Sequence, residues 1–528
     1  MLSRVFPRAT NIRRHLSAGF STQPTNPKPK SNLFLVASGL CLCGVSAALL
    51  MPSQPPNSKA LSTKAASVGG SGLTSDEADA VLKRFERSLL PQLPSTVVRC
   101  DFAAVASNDP IEDYHSEQRC QHGQLFAVMD GHGGTECAAI VQKYLGAYVA
   151  NALDAALAGK KDWLGRRQQA PVAENTTDAD GPDPVRKEAI TKALISAFTR
   201  LDEDIVNGGF DVVLGPEDVT TADIIRKHLR PALAGSCTLL AYVDGNDVYV
   251  ACTGDSRAVI GRRKLEGVWE AIDMSADQTV RNVQEYNRLL EEHPGEIETV
   301  VVKGRVLGGL MPTRAFGDSR YKWPTQLSEV LLPHVTNRNP PKNYLTPPYV
   351  TAKPVVTHYR ITPSRDLFLV LATDGLYDEL SSQEVVTVVS GFLQHHQIAA
   401  PPTVEWGSDP LANKALSLTK DTNAATCLIR NALGGSNEDK TRKLLGIPAP
   451  YSRRFRDDMT VNVLFFDHDN TAPPNGLDKA RLIVDAQNVQ KGLEEVNLNL
   501  ASAKQHRLQS WTSYFVNLEK QTGIKSKL

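Results

Sequence analysis

The chain of 528 residues is 41% hydrophobic and 22% charged, an ordinary composition for a soluble globular protein. Its formal net charge is zero, but the residues before Asp76 contain eight Lys and Arg and no acid, which leaves 50 basic residues against 58 acidic ones in the rest. This acidic body argues against nucleic acid as the main partner, because neutralising phosphates requires clustered Lys and Arg.

The cysteines form no pattern of metal ligands or disulfides. Cys41 and Cys43 lie in an apolar segment, the other six are scattered, and no CxxC pair occurs. We therefore predict reduced, mostly buried thiols, and neither a zinc ribbon nor a disulfide framework.

Two features of the N-terminal region resemble targeting signals. Residues 1–30 are rich in Arg, Ser, Thr and Pro, which is typical of a mitochondrial presequence, with a disordered basic tail as the alternative. Residues 31–75 then hold the uncharged segment Leu33–Met51 and a linker. As a helix this segment would span about 28 Å, which indicates an inner-membrane anchor or a cleaved sorting signal. A buried core helix fits less well, because the Pro-, Ser- and Gly-rich stretch Pro52–Gly72 follows it.

The C-terminal tail, residues 471–528, carries a third feature that resembles a targeting signal. It ends in Ser526-Lys527-Leu528, the tripeptide that a peroxisomal import receptor binds. The polar stretch Asn475–Gln521 before it is predicted to be helical and to cap the preceding domain. Peroxisomal import conflicts with a membrane anchor on the same molecule, and initiation at Met51 or proteolytic release would resolve the conflict.

One domain is predicted over residues 76–470, in which strands alternate with helices. Its first part is predicted to contain, in order, helix Asp76–Leu90, strand Val97–Ala106, strand Gln124–Met129, helix Thr135–Ala158, a surface loop over 160–183 and helix Lys187–Ile205. Asp244-Gly245-Asn246 then predicts a hairpin between strands Cys237–Val243 and Asp247–Thr253.

The second part continues this mixture. It is predicted to contain helix Asp277–His293, a long ordered flap over Pro312–Pro354, strand Phe368–Ala372, helices Ser381–Leu393 and Thr422–Leu433, and strand Val461–Phe466. Strands with a period of two and helices that pack on them indicate an α+β fold.

Acidic residues recur where predicted strands begin or end, often beside glycine. They are Glu112 and Asp113, Asp130 before Gly131, Asp255, Asp374 before Gly375, and Asp457 and Asp458. A single such Asp usually caps a helix or a turn. Several carboxylates that converge would repel one another, so clustering would require a cation. All-oxygen ligands favour Mg²⁺ or Mn²⁺ over zinc. The pattern therefore predicts an oxygen-ligated metal centre.

Five sequence stretches carry a resemblance to a known family. They are FAVMDGHGG, AGSCTLLAYVDGNDVYVACTGDSRAVIG, TRAFGD, LATDGLYDELSSQEVV and RDDMTVNVLFF. In this order they resemble the PPM (PP2C-like) metal-dependent protein phosphatases from Asp101 to Phe466. SNDPIEDYHS, EEHPGE, LGGLMPTRAFGDSRYKW and NYLTPPYVTAKP resemble the mitochondrial pyruvate dehydrogenase phosphatases within that family.

The resemblance implies a fold, an activity and a substrate. The fold is an αββα sandwich with two central antiparallel sheets flanked by helices. The activity is hydrolysis of phosphoserine or phosphothreonine in proteins with two Mg²⁺ or Mn²⁺ ions. The implied substrate is phosphoserine of pyruvate dehydrogenase E1α, whose removal reactivates the complex.

The resemblance also implies a role for each acidic residue. Asp130 would bridge both ions, the Gly131 carbonyl would complete the second site, and Asp374 and Asp457 would bind the first ion. His132 would act with Asp130 in catalysis, as the general acid for the leaving serine oxygen. Residues with supporting roles would be Glu112, Asp113 and Asp458, which touch the ions through water or from the second layer, and Asp255 and Asp378, which match a third, weaker metal site.

One position departs from the family pattern. Asn108 stands where most members carry an arginine that grips the substrate phosphate, and the pyruvate dehydrogenase phosphatases share this substitution. Asn108 itself is a candidate phosphate contact, although an amide binds phosphate less strongly than a guanidinium. Arg257 and Arg314 are predicted to fix loops by pairing with carboxylates, and His115 and His293 are predicted to be structural.

Two other functions remain open from the sequence. A pseudophosphatase would use the same fold as a binding module without turnover, but the acidic positions and His132 are all present. The same chemistry could also serve other mitochondrial or peroxisomal phosphoproteins. The sequence gives little support for an acyl- or glycosyl-transfer enzyme, because the chain lacks a GxSxG elbow.

Overall fold

The computed structural model describes residues 72–91, 95–158, 184–208, 222–265, 267–396 and 416–466. The predicted presequence, the apolar segment Leu33–Met51, the loop over 160–183 and the C-terminal tail lie outside these residues. Within them, no helix is long and apolar enough to cross a membrane. The cysteines of the described residues are buried and free, as predicted.

The described strands form two main sheets and a short ribbon. Their bounds are β1 Arg87–Leu89, β2 Val97–Val105, β3 Tyr114–Cys120, β4 Gly123–His132, β5 Gly235–Asp244, β6 Asp247–Thr253, β7 Arg257–Arg263, β8 Trp269–Asp273, β9 Val301–Val302, β10 Arg305–Val306, β11 Phe316–Gly317, β12 Val355–Arg360, β13 Asp366–Ala372 and β14 Met459–Phe466. The first sheet has the order β1-β2-β14-β13-β7-β8 and the second β12-β6-β5-β4-β3, with β11 paired to β5. All of these pairings are antiparallel.

Helices cover the outer faces of both sheets. Their bounds are α1 Ser75–Leu82, α2 Glu136–Ala158, α3 Pro184–Gly208, α4 Ala222–Leu233, α5 Val283–Glu292, α6 Thr325–Thr336, α7 Asp374–Tyr377, α8 Ser382–His396, α9 Ala424–Leu433 and α10 Glu438–Leu445. The first sheet packs on α1, α8, α9 and α10, and the second on α2 and α3. A third core lies between the sheets, where side chains such as Val128, Leu239 and Leu371 meet. This is the predicted αββα sandwich, and the fold class is confirmed.

Local sequence explains several of these elements. In β13 every residue is buried, because this apolar strand lies in the middle of its sheet between a helical layer and the second sheet. The hairpin of β5 and β6 turns at Gly245, whose positive φ of 58° suits glycine. Thr74 and Glu77 form a reciprocal capping box at the start of α1.

Three element predictions need correction. The helix predicted over Asp76–Leu90 ends at Leu82, because Arg87–Leu89 pairs with β2 instead. The helix predicted from Asp277 begins at Val283, capped by the Asn282 side chain.

The third correction concerns the stretch Pro312–Pro354, which was predicted to be one long flap. It is not one continuous flap, since it contains β11, a 3-10 turn and α6. Trp323 and Leu327 pack on Val206 of α3 and Leu229 of α4, so this segment is anchored to the helical layer.

Candidate active site

The site begins where β4 ends. Apolar residues from Leu125 to Met129 bury the strand, and Asp130, Gly131 and His132 follow at its end. Asp130 lies opposite Cys237 of β5 in the sheet register. The strand therefore carries one carboxylate out of the core to the edge of the sandwich.

Three carboxylates meet at this edge. Asp130, Asp255 and Asp374 each offer an oxygen, and these three oxygens lie within 4.8 Å of one another. Asp255 follows β6 in the second sheet, whereas Asp374 follows β13 in the first. Both sheets thus contribute to one cluster, which we call the acidic triad.

The electrostatics of the triad favour binding of a cation. Burial, and then the charges of Asp374, Asp113 and Asp255, raise the pKa of Asp130 well above its usual range. Burial and the charge of Asp255 raise the pKa of Asp374 to about 7. Carboxylates held this close are stabilised by a hard divalent ion, which accepts several oxygens at once. The residues present therefore fit the metal centre that the sequence predicts.

Two glycines let the acidic loops approach the triad. A Cβ on Gly131 would lie 2.2 Å from the carbonyl oxygen of Glu112, and one on Gly375 would lie 2.1 Å from that of Asp458. Neither position has room for a side chain. The glycine of each Asp-Gly pair therefore leaves space for the backbone of a neighbouring acidic loop. The sequence suggested this close approach only in part.

Asp113 is held between the two loops of the first sheet. The hydroxyl of Thr373 donates to its Oδ2 at 2.9 Å. Burial, and then the charge of Asp458, outweigh this hydrogen bond, so the pKa of Asp113 lies well above its usual range. Burial likewise raises the pKa of Glu112. Both carboxyls thus border the triad in surroundings that disfavour their charged forms.

Asp458 fixes the loop that leads to Glu112. Its carboxylate accepts hydrogen bonds from the backbone N–H groups of Ser107, Asn108 and Glu112, at 2.5, 2.9 and 2.9 Å. The Asn108 amide also donates to Asp458 at 3.0 Å and to Glu112 at 3.3 Å. Asn108 is therefore turned toward the protein, and Asp458 acts on the site by holding this loop.

Asp457 and Asp378 lie beside Asp374 but outside the triad. The Cβ of Asp457 would lie 3.2 Å from a Cβ on Gly375, and its carboxylate pairs with Arg453. Asp378 ends α7, and its charge contributes to the raised pKa of Asp374 after burial and Asp255. The structure thus puts Asp255, predicted for the weaker site, in the tightest group.

His132 is paired with a residue that the sequence analysis did not single out. Its Nε2 lies 2.8 Å from Oδ2 of Asp318. Burial lowers the pKa of His132, but Asp318 outweighs that effect, with smaller contributions from Asp255 and Glu112, so the pKa is raised. Asp318 closes the TRAFGD stretch, 186 residues away in sequence. The local sequence signal for it is the Gly-Asp step after Phe316, which the chain also has at Gly254-Asp255.

The predictions for two arginines and two histidines near the site are confirmed. Arg257 pairs with Asp277, and Arg314 pairs with Glu285, so both arginines fix loops. His115 stacks on Phe102 and bonds Glu117. His293 stacks on Tyr349 and contacts the hydroxyl of Thr346. Neither histidine belongs to the acidic triad.

The fold and the triad define a two-sheet αββα protein with a cluster of carboxylates at one edge of the sandwich. Comparison with known proteins identifies its family. The protein phosphatase 2C family model matches residues 109–433. A protein phosphatase 2C homolog of Schizosaccharomyces pombe is 38% identical over 400 residues, covering 73% of this chain and 84% of that protein.

Mitochondrial pyruvate dehydrogenase (acetyl-transferring) phosphatase 1 is also similar. The protein of Bos taurus is 34% identical over 462 residues, covering 75% of this chain and 83% of its own. That of Saccharomyces cerevisiae is 34% identical over 447 residues, covering 76% and 74%. The chain belongs to the protein phosphatase 2C family. It is therefore an enzyme, a protein serine/threonine phosphatase of a metal-dependent family.

Proposed function

We propose that this phosphatase removes phosphate from phosphoserine of the pyruvate dehydrogenase E1α subunit and so reactivates that complex. The similarity to the bovine and yeast pyruvate dehydrogenase phosphatases over three quarters of the chain carries the proposal. The acidic triad supports turnover, because a binding module without catalysis has no need of three carboxylates whose oxygens lie within 4.8 Å of one another.

The metal ions are proposed to be two Mg²⁺ or Mn²⁺. Asp130, the Gly131 carbonyl, Asp374 and Asp457 would hold them, with Glu112 and Asp113 bound through water. Asp255 and Asp378 would serve a third ion. When bound, such ions withdraw negative charge from the phosphoryl oxygens and make a bound water more acidic.

His132 is proposed to protonate the leaving serine oxygen. Because Asp318 holds Nε2, Nδ1 is the nitrogen that can give its proton as the bond between phosphorus and the serine oxygen breaks. Burial lowers the pKa of His132, but the ion pair with Asp318 outweighs burial and raises it, which favours the protonated imidazole that a general acid needs. Water supplies the new P–O bond, and inorganic phosphate and the serine hydroxyl are the products.

The cellular location is proposed to be the mitochondrion. The names of the bovine and yeast relatives contain that location, and the first 30 residues resemble a presequence. The membrane anchor at Leu33–Met51 and the peroxisomal address Ser526-Lys527-Leu528 lie outside the described residues and stay predictions.

The proposed substrate can be tested with purified components. The full chain is incubated with the phosphorylated dehydrogenase complex and Mg²⁺ or Mn²⁺, and both released phosphate and recovered dehydrogenase activity are measured. The Asp130→Asn variant is expected to lose at least about 100-fold in rate, because the triad loses the carboxylate at its centre.

Three results would count against the proposal. Phosphate that stays on E1α while a synthetic phosphopeptide is hydrolysed would point to another mitochondrial or peroxisomal substrate. Organelle-resolved phosphoproteomics of a deletion strain would then identify it. Hydrolysis that persists in Asp130→Asn, or in excess chelator, would contradict the proposed metal centre.

A further inference from the structure

The described walls of the site lack an obvious donor for the substrate phosphate. A phosphate monoester is a dianion, yet the groups gathered around the triad are mainly carboxylates. Asn108 does not supply the missing donor, because its amide already donates hydrogen bonds to Glu112 and Asp458. A guanidinium would match the phosphate in charge and in geometry.

Several nearby Arg and Lys side chains already pair with carboxylates of the protein. Arg257 donates twice to Asp277, at 2.7 and 3.0 Å, and lies over the ring of Tyr377. Arg314 is buried against Glu285. Lys322 is buried against Asp202. Each of these side chains stabilises the fold and has little freedom to meet a substrate.

Arg453 is placed differently. Its side chain is 41% exposed, and its guanidinium contacts the carboxylate of Asp457, beside Asp374. Arg453 is therefore beside a carboxylate that borders the triad, and it is open to solvent.

The backbone that carries Arg453 is fixed. It belongs to a 3-10 turn, Tyr451–Arg454. The hydroxyl of Ser452 donates to the Ser107 carbonyl at 2.5 Å, and that of Ser107 donates to the Arg456 carbonyl at 2.7 Å. Arg456 in turn donates to the Ala106 carbonyl at 2.6 Å. The turn is thus tied to the same loop that presents Asn108 and Glu112.

We propose that Arg453 binds the phosphate of the substrate, in place of the amide that Asn108 cannot offer. Two parallel N–H donors of the guanidinium meet two phosphoryl oxygens, and the arginine leaves Asp457 to do so. This inference rests on the phosphatase activity of the chain, and it holds for any phosphoprotein substrate.

The test compares Arg453→Ala with Arg454→Ala. Arg454 is the next residue of the same turn, is exposed and carries the same charge, so its replacement controls for the general loss of a cation. The probes are a synthetic phosphoserine peptide and inorganic phosphate, the latter as a competitive product inhibitor. Arg453→Gln, which keeps much of the side-chain length, serves as a second variant should Arg453→Ala fold poorly.

Arg453→Ala is expected to raise both the KM for the peptide and the inhibition constant of inorganic phosphate by roughly 10- to 100-fold, because two charge-assisted hydrogen bonds are lost. Arg453→Gln should follow it, Arg453→Lys should fall between it and the parent protein, and Arg454→Ala should change neither constant by more than about twofold. Peptide binding to the slow His132→Gln variant, measured by fluorescence anisotropy, should weaken by the same factor when Arg453→Ala is added.

The alternative is that Arg453 only neutralises Asp457. In that case the variants would change the metal concentration for half-maximal activity and leave the inhibition constant of phosphate unaltered, which would overturn the proposal. Because the probes are not the dehydrogenase, failure on E1α and failure of this inference are distinguishable.

Discussion

At the scale of single residues, the contact between His132 and Asp318 can be tested directly by mutation. Asp318 contacts His132 and is not a member of the triad. If His132 is the general acid, as proposed, Asp318 would act by positioning the imidazole and by raising its pKa. We predict that Asp318→Asn lowers kcat for a phosphoserine peptide by about 10- to 100-fold with little change in KM. With p-nitrophenyl phosphate, whose leaving group departs without a proton, the loss should be about threefold or less.

A double mutant separates positioning from mere damage to the fold. If Asp318 acts through His132, then His132→Gln combined with Asp318→Asn should be no slower than His132→Gln alone. Equal losses on both substrates, or additive losses in the double mutant, would show that Asp318 does not work through the histidine.

Single residues also show which parts of the site can be predicted from the sequence. Asp130 and Asp374 could be found because each follows an apolar strand and precedes a glycine, a pattern visible in a few consecutive residues. Asp318 and Arg453 could not be found in this way. Their importance comes from contacts with His132 and Asp457 that depend on how distant loops fold together.

At the scale of elements, a buried ion-pair network docks α5. Glu285 is 3% exposed and accepts hydrogen bonds from Arg314 at 2.6 Å, Arg288 at 2.9 Å and the hydroxyl of Thr313 at 2.7 Å. Burial raises the pKa of Glu285, but the bonds with Arg314 and the charge of Arg288 outweigh it and lower the pKa to about 2.

We predict that Glu285→Gln destabilises the protein in a pH-dependent way. The folded-state pKa lies below the unfolded one, so the ionised carboxylate stabilises the fold above the unfolded pKa, and this stability is lost as pH falls toward the folded one. The free energy of unfolding should drop by about 2–3 kcal/mol at pH 7. The gap between variant and parent should narrow as the pH falls from 5 to 3 in urea titrations.

Glu291→Gln is the matched control, since Glu291 lies on the exposed side of the same helix. It should change the free energy of unfolding by about 0.5 kcal/mol or less at every pH. A constant difference between Glu285→Gln and the parent over the whole range would refute the ionic account of how α5 is held.

Element boundaries were harder to predict than element types, for a physical reason. The periodicity of Asp76–Leu90 fits a helix throughout, yet Arg87–Leu89 gains more by pairing with Phe102, Asp101 and Cys100 of β2. Residues after Asp277 likewise join the network around Gln278, which bonds Gly254 and Thr313, before α5 begins. Such long-range pairings override local propensity.

At the scale of the whole molecule, the α+β class followed from periodicity, but the αββα arrangement came from the resemblance. Spacing along the chain does not say which strands pair. Here β14, the last strand of the described residues, lies between β2 and β13. That order brings the segment of Asp457 and Asp458 beside the loop of Asn108 and Glu112. The composition of the site therefore depends on topology that no single motif encodes.

The acidic triad draws carboxylates from both sheets, so an ion bound there would couple metal binding to stability. Asp130 ends a strand of one sheet, Asp374 follows a strand of the other, and Asp255 lies in the connection between them. Without a cation, carboxylates drawn from both sheets repel across the edge of the sandwich. We predict that Mg²⁺ or Mn²⁺ at about 100 times its dissociation constant stabilises the chain by about 2.7 kcal/mol over the chelated protein. Thermal melts should show this as a rise of several degrees.

Asp374→Asn should raise the stability of the chelated protein and reduce the gain in stability from divalent ions. In chelator the variant is expected to melt above the chelated parent, because one of the repelling charges is gone, and divalent ions should raise its melting temperature far less. Asp439→Asn on the exposed face of α10 removes a carboxylate outside the triad, so it should behave like the parent in both conditions. If ions stabilise Asp374→Asn as much as the parent, then the ions bind elsewhere, and the triad is not what joins the two sheets.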